Sequence, residues 1–265
     1  MSASFVRYEV DAQGTAWLLW NRPERKNALL PEMTDEARRR LDEAAADERV
    51  RCLVLSGEGE AFSAGADLKR LGEPGRLGRS AVEGYARGQH GSAGSRAILE
   101  FPKPTIAAVH GAVAGMSCAW ALACDIVVAA PDARFHFSFV RVGFVTDCGT
   151  SWLLVRRVGI GRAKRIVLTG DPVSGEEAFR LGLCDELAPA GADRQRAGEI
   201  AARIGEQAPL AVREARRILE FARTSSFDEA ADREAWTQGA LGETEDHQEA
   251  VRAFAEKRTP RFTGR

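Results

Sequence analysis

The sequence predicts an α/β fold that ends in a helical region, on three observations. Over the first two-thirds, short apolar runs of strand length recur, often as two strands followed by a helix-period stretch. Two of those runs end in turns of small residues that open helices. After about residue 192 the pattern is helical throughout. Residues 1–191 therefore read as an α/β core and 192–265 as a C-terminal helical region.

The elements follow in order. Phe5 to Val10 and Thr15 to Trp20 read as strands around a Gln13-Gly14 turn. Pro31 to Ala46 reads as a helix, because Pro31 suits the first turn and Met33, Ala37, Leu41 and Ala44 recur at three-to-four spacing. Cys52 to Ser56 is a short buried strand. Leu71 to Gly94 is rich in Gly, Arg and Ser and poor in periodicity, which predicts a mobile segment with a short helix. Such a segment is either a surface loop or a pocket cover. Thr105 to Val109 is a strand and Met116 to Ala123 a helix. Asp125 to Ala130 and Ala133 to Phe137 read as strands, and Gly149 to Val158 and Arg162 to Thr169 as helices. Ser174 to Leu181 is another helix, with Glu176 and Glu177 in the first turn, where the helix dipole favours acids. Pro209 starts a new helix.

Composition narrows the function. The chain has 265 residues, 45% hydrophobic and 28% charged, enough for one large domain with a modest appendage. A net charge of −1 gives no reason to expect nucleic acid or a membrane as partner. No signal peptide and no membrane-length apolar run are visible, so a cytoplasmic protein is expected. The five cysteines are Cys52, Cys118, Cys124, Cys148 and Cys184. Their number is odd and no CxxC occurs, which predicts reduced, mostly buried thiols. The four histidines form no HExxH and no pairing with cysteine, so no metal is expected.

Two segments carry the functional signal. One is Lys103-Pro-Thr-Ile-Ala-Ala-Val-His-Gly-Ala-Val-Ala-Gly-Met-Ser-Cys-Ala-Trp-Ala-Leu-Ala-Cys-Asp125. The other is Ala61-Phe-Ser-Ala-Gly-Ala-Asp-Leu-Lys69. In each, small residues let backbone N–H groups face a ligand closely. Each turn alone is better explained by tight strand–helix packing. Together they can point two donors at one carbonyl oxygen. Further strings are Trp20-Asn-Arg-Pro-Glu-Arg-Lys-Asn-Ala-Leu29, Val50-Arg-Cys-Leu-Val-Leu-Ser-Gly57 and Ala253-Phe-Ala-Glu-Lys-Arg-Thr-Pro-Arg-Phe262. In this order and spacing the chain resembles the crotonase (enoyl-CoA hydratase/isomerase) family over nearly its whole length.

The resemblance implies a spiral of strand-strand-helix units with C-terminal helices that mediate trimerisation. The chain is then a homotrimer or a dimer of trimers, and Ile200, Ile204, Ile218, Leu219, Trp236 and Phe254 supply apolar surface for assembly. It also implies an acyl-CoA substrate, with CoA arriving as part of the substrate and no permanently bound cofactor. The oxyanion-hole positions match Ala66 and Met116, flanked by Ala64, Gly65, Asp67, Leu68 and Gly115. Met116 departs from the glycine usual there, which narrows the pocket. Asp67 follows the Ala-Gly-Ala turn and is better read as a helix N-cap than as a catalytic acid. Lys26 and Ala28 lie in the loop that meets the adenine and phosphates of CoA in relatives. Arg25 in that loop is as well explained by solvation. Phe254 and Lys257 match a C-terminal pair that reaches CoA, sometimes across a subunit boundary.

The family's two hydratase glutamates are missing. Ala119 stands at the first position and Ser138-Phe139 replaces the Pro-Glu pair. Neither alanine nor phenylalanine moves a proton, so syn-hydration by that dyad is excluded. Asp147 remains, in Gly143-Phe-Val-Thr-Asp-Cys-Gly-Thr150. Phe139 to Trp152 looks most like the ring-epoxide isomerase of phenylacetate breakdown, and Asp-dependent enoyl-CoA isomerases use an aspartate here. Asp147 is thus a candidate acid/base or a cap for the helix near Gly149. Phe139, Val145 and Trp152 are expected to desolvate it and raise its pKa. His90 and His136 read as structural, and His110 as bonding to backbone. The implied activity is isomerisation of an acyl-CoA through an enolate. Alternatives are a hydratase or hydrolase in which Asp147 activates water, and an inactive acyl-CoA-binding relative.

Overall fold

The computed structural model of the chain describes residues 4–71 and 80–265, without the side chains of Leu68 and Leu71. β1 (Val6–Val10) and β2 (Thr15–Trp20) form an antiparallel hairpin. α1 (Pro31–Ala46) follows, with Pro31 in its first turn, and buries Met33, Thr34, Ala37, Leu41 and Ala44. β3 (Cys52–Gly57) is buried along its whole length and pairs parallel with β2. That explains its unbroken apolar run, since a parallel strand is covered on both faces. α2 (Leu68–Leu71) is a single turn, and α3 (Ala81–Leu99) is capped by Ser80, whose hydroxyl accepts from Glu83 N–H.

A repeated unit then becomes visible. β4 (Thr105–Val109) joins the large sheet, β5 (Ala112–Ala114) a small one, and α4 (Met116–Ala123) closes the unit. β6 (Ile126–Ala129), β7 (Arg134–His136) and α5 (Thr150–Val158) repeat it, with a 3-10 turn over Ser138–Val142 inserted. The segment after β3 makes an abbreviated version, because Ser63 bridges Val113 of β5 in parallel before α2 begins. α6 (Ile160–Thr169), β8 (Val173–Ser174), α7 (Gly175–Leu181) and β9 (Glu186–Leu187) complete the core. The large sheet has the order β1-β2-β3-β4-β6-β9 and is parallel except at the hairpin. The small sheet is β5-β7-β8.

α8 (Asp193–Gly205) lies on the large sheet. Its Ala197, Ile200 and Ala201 meet Cys52, Val54, Ile106, Ala108 and Val128 in a second core, with Ile204 at the edge. Ile200 and Ile204 are therefore spent inside the chain rather than offered for assembly. The division at 191/192 also falls just before a helix that covers the core sheet. α9 (Pro209–Ala222), α10 (Phe227–Gly242) and α11 (Glu245–Glu256) follow, and α9 is tied to the core by Arg216, whose guanidinium donates to the Asp125 carboxylate and to the Phe101 carbonyl. α9 and α10 bury no residue, and Leu219, Trp236 and Phe254 are 69%, 77% and 87% exposed.

Leu71 to Gly94 departs from expectation where it is described. Residues 72–79 lie outside the described residues, but from Ala81 the chain forms one 19-residue helix, not a short one. Its periodicity is weak because it docks through small residues. Only Gly94, Ser95 and Ile98 are buried. A Cβ on Gly94 would lie 2.0 Å from the Trp120 ring, so the helix approaches α4 as only glycine allows. All five cysteines are free and buried, as composition suggested. Among the described residues no helix is long and apolar enough to cross a membrane.

Candidate active site

The two small-residue turns occupy equivalent places in successive repeats, and the bridge at Ser63 sets them side by side. In the first turn, Ala64 N–H donates to the Lys26 carbonyl at 2.8 Å and Gly65 N–H to the Ser63 hydroxyl at 3.1 Å. Leu29 N–H donates to the Gly65 carbonyl, and Asp67 N–H to the Leu29 carbonyl. Ala66 N–H is left over. In the second turn, Ala114 N–H donates to the Ser63 carbonyl at 3.0 Å and Gly115 N–H to the His136 carbonyl at 2.9 Å. Met116 is the first residue of α4, so its N–H is one of the orphan donors of a helix start. Among the described residues, neither the Ala66 nor the Met116 N–H finds a backbone acceptor. Gly65 has φ +82°, and a Cβ there would lie 2.5 Å from the Ala114 carbonyl oxygen. That is how near the turns come.

Met116 is accommodated without strain. The left-handed φ of 56° falls on Gly115, one residue earlier, while Met116 is helical and packs its side chain on the core. A Cβ on Gly115 would be 4.0 Å from the Phe139 ring, so Phe139 stands beside the second donor. Ala119 is wholly buried in the core. Apolar side chains thus occupy both positions, Ala119 and Phe139, at which the resemblance implies a hydratase's glutamates.

The loop from Phe139 leads to Asp147. Phe144 N–H donates to the Phe139 carbonyl, and Cys148, at φ +53°, turns the chain into α5. The loop is pinned to α3: the buried Ser95 hydroxyl donates to the Cys148 carbonyl at 2.6 Å. A Cβ on Gly91 would lie 3.0 Å from the Cys148 sulfur. Asp147 keeps a face open to solvent, yet burial raises its carboxyl above the usual carboxylate range. A hydrogen bond with the Cys148 thiol acts in the opposite direction and is the smaller effect. The expected shielding by Val145 and Trp152 is not what produces this. Val145 is exposed, and the Trp152 ring, 42% exposed, stacks against Arg156 at 3.8 Å and Arg223 at 4.8 Å. The loop that carries it is docked on α3 through its neighbour Cys148. Nor does Asp147 cap α5: Gly149 is the N-cap residue, no side chain caps it, and only the Asp147 backbone carbonyl accepts, from Thr150 N–H.

The loop 21–29 flanks the first turn. Lys26 and Asn27 both have positive φ, and the exposed Lys26 ammonium lies 3.3 Å from Glu60. Ala28 is half-buried, and its carbonyl accepts from the Arg22 guanidinium at 3.0 Å. Asn27 is wholly buried. Its side-chain oxygen accepts from Arg22 N–H, and its amide donates to the carbonyls of Ala61 and Glu58. Asp67 accepts from Arg22 at 2.7 Å and loosely caps α2 through Arg70 N–H, and the Arg22 hydrogen bond holds its carboxyl below the usual range. Asp67 therefore braces this loop rather than facing a ligand as a free acid. Leu68 opens α2. Phe254 and Lys257 are exposed at the end of α11, and among the described residues no hydrogen bond or ion pair ties either to the two turns.

The histidines stay outside this constellation. His90 meets Asp35 at 3.3 Å, and His110 bonds the Asp193 carboxylate at 2.9 Å rather than backbone. His136 is half-buried, with burial lowering its pKa. Sequence reasoning passed over Asn27, Arg22, Ser63, Ser95 and Ser117. Arg22, Asn27, Ser63 and Ser117 are signalled only by lying in the two turns and the loop, and Ser95, in α3, by nothing, since several of their decisive partners lie far off in the chain.

A sequence profile of the enoyl-CoA hydratase/isomerase family matches residues 11–265. The chain belongs to that family. It is an enzyme of the crotonase fold. A Thermus thermophilus protein named provisionally as an enoyl-CoA hydratase is 39% identical over 258 residues, 96% of this chain and 99% of that one. The 1,2-epoxyphenylacetyl-CoA isomerase of Escherichia coli is 33% identical over 258 residues, covering 96% of each chain. The crystal structure of an enoyl-CoA hydratase from Bacillus anthracis superposes with a TM-score of 0.92 at 27% identity. That match covers 98% of this chain and 100% of that one.

Proposed function

We propose that this family member is an acyl-CoA isomerase that shifts a double bond, or rearranges an aryl-CoA, through an enolate. The Asp147 carboxylate takes a proton from a carbon beside or conjugated with the thioester. The electron pair moves onto the thioester oxygen, where the Ala66 and Met116 N–H groups hold it. Asp147, now protonated, returns the proton to another carbon, so one group serves both steps and no atom is gained or lost. One observation carries this reading: Ala119 and Phe139 occupy the family's acid positions, while Asp147 has a raised carboxyl and no capping duty. No resident cofactor is needed, and CoA enters with the substrate. A second reading has support in the open face of Asp147, which water can reach, and it makes the enzyme a hydratase or hydrolase. Turnover on a panel of enoyl-CoA and aryl-CoA thioesters, with products identified by mass and NMR, separates these. Isomerisation leaves the mass unchanged, hydration adds water and hydrolysis frees CoA. No turnover at all would mark an inactive binder and end the proposal.

The CoA moiety is read as lying along Lys26 and Ala28, on the outer side of loop 21–29 where it joins the first turn. Calorimetry is expected to show acyl-CoA thioesters binding well and the matching free acids binding far more weakly. Equal or absent binding of both would remove the CoA reading. Phe254 and Lys257 point to assembly, because both are exposed at the end of α11 and the family resemblance has this pair reach CoA, sometimes across a subunit boundary. With Leu219 and Trp236 also uncovered, a homotrimer or dimer of trimers is expected, and no membrane or nucleic-acid partner. Sedimentation at micromolar concentration checks this, and a stable monomer would contradict it.

A further inference from the structure

Ser117 is the second residue of α4 and wholly buried, and the proposed chemistry does not use it. Its hydroxyl oxygen accepts from Ala114 N–H at 2.9 Å. Its proton is within reach of two carbonyls, that of Ala114 at 2.8 Å and that of Ser63 at 3.1 Å. Ala114 N–H is shared, since it also reaches the Ser63 carbonyl at 3.0 Å. Ser63 is equally buried, and its own hydroxyl donates to the Asn27 carbonyl at 2.7 Å while accepting from Gly65 N–H. The Ser117 hydroxyl and the Ser63 carbonyl thus meet across the seam between the turns, while the Ser63 hydroxyl ties the first turn to loop 21–29. Ser117 directly follows Met116, and Ser63 lies three residues before Ala66.

We infer that Ser117 is a positioning residue for the oxyanion hole: its hydroxyl, bonded across the seam, sets the placement of Met116 N–H relative to Ala66 N–H. The inference rests on the oxyanion reading above. A helix start without the bridge still has an orphan Met116 N–H, but its direction is then fixed by the helix alone. Hydrogen bonds to a developing oxyanion depend steeply on placement, and a shift of about 1 Å can cost about a hundredfold in rate. A serine that only capped the helix start would change stability and leave polarisation of the bound carbonyl untouched.

The test uses a saturated acyl-CoA with 13C at the thioester carbonyl, bound to the full-length protein and read by isotope-edited infrared spectroscopy. In the wild type the carbonyl stretch should move to lower wavenumber than in water, because two directed donors polarise it. In Ser117→Ala that displacement should shrink, kcat should fall about 10- to 100-fold, and the dissociation constant should change by no more than about threefold. Should the alanine variant not fold, Ser117→Cys keeps the buried shape with a weaker donor and should show a smaller change in the same direction. A foldable variant with the wild-type carbonyl frequency and wild-type kcat overturns the positioning role and leaves the oxyanion reading intact. No displacement in the wild type overturns both.

Discussion

Asp147→Asn should fold, bind acyl-CoA near normally and lose turnover by about 10²–10⁴-fold, the range for a positioned general base. Asparagine keeps the size of the side chain and cannot take a proton from carbon. Fold is expected to survive because the carboxylate makes no helix cap and the loop is held by other groups, chiefly Ser95 on the Cys148 carbonyl. Exchange of substrate α- or γ-protons with deuterated solvent should stop as well. The raised carboxyl also dictates two pH trends of known sign. The base works ionised, so activity should climb with pH through an apparent pKa above the ordinary carboxylate range. Stability should run the other way. A carboxyl whose pKa is higher folded than unfolded favours the protonated native state, so its contribution falls as pH rises from the ordinary range through the raised value. Asp147→Asn should remove that fall and be no less stable than the wild type at neutral pH. A variant that keeps both turnover and exchange would reduce Asp147 to a bystander. One that unfolds would give the carboxylate a structural task absent from the geometry.

Much of the frame was legible because its signals are local. β4 reads from a run of Thr105 to Val109 that is buried on both faces. α4 reads from the Gly115 turn that starts it, and α1 from Pro31 and a clear apolar stripe. α3 was not legible for a physical reason. Its docking face is Gly94, Ser95 and Ile98, and residues that pack by being small leave little hydrophobic period to detect. The same limit applied to Ile200 and Ile204. Their spacing shows an apolar face but not whether a sheet of the same chain or another subunit covers it. Around the site, the two turns and Asp147 were visible as motif positions. Trp152 was misplaced because a ring between two guanidinium groups looks, in sequence, like any core aromatic. Asn27, Ser63 and Ser117 escaped notice because a buried polar side chain is defined by its partners, and theirs are mostly backbone carbonyls distant in sequence.

Gly65→Ala should be the most damaging single methyl in the molecule for turnover. The φ of +82° costs an L-residue about 1–2 kcal/mol on its own. The added Cβ would also sit 2.5 Å from the Ala114 carbonyl oxygen, a contact that cannot persist. Relief cannot come from a flexible side chain, because the obstacle is backbone in a buried seam held by Ser63 and Ser117. The turns must therefore part, and Ala66 N–H moves away from Met116 N–H. Losing one directed donor typically lowers kcat by about 10²–10³-fold, and a comparable loss is expected here. Substrate affinity should change much less, since most of the contact with an acyl-CoA lies outside the carbonyl and the two donors act chiefly on the charge that develops later. Gly159→Ala separates strain from geometry. Gly159 has φ +77° between α5 and α6, and an added Cβ there would meet no atom within 4 Å. Its ψ of 160° places it in a backbone region that is essentially glycine's alone, so that substitution should lose about 1–3 kcal/mol of stability and keep its turnover. Steady-state kinetics, solvent exchange and thermal unfolding of the two variants read the contrast directly. Equal kcat in Gly65→Ala and Gly159→Ala would mean that the turns do not hold the reacting oxygen. A large fall confined to Gly65→Ala, with Asp147 in place, ties the chemistry to the backbone of the two turns.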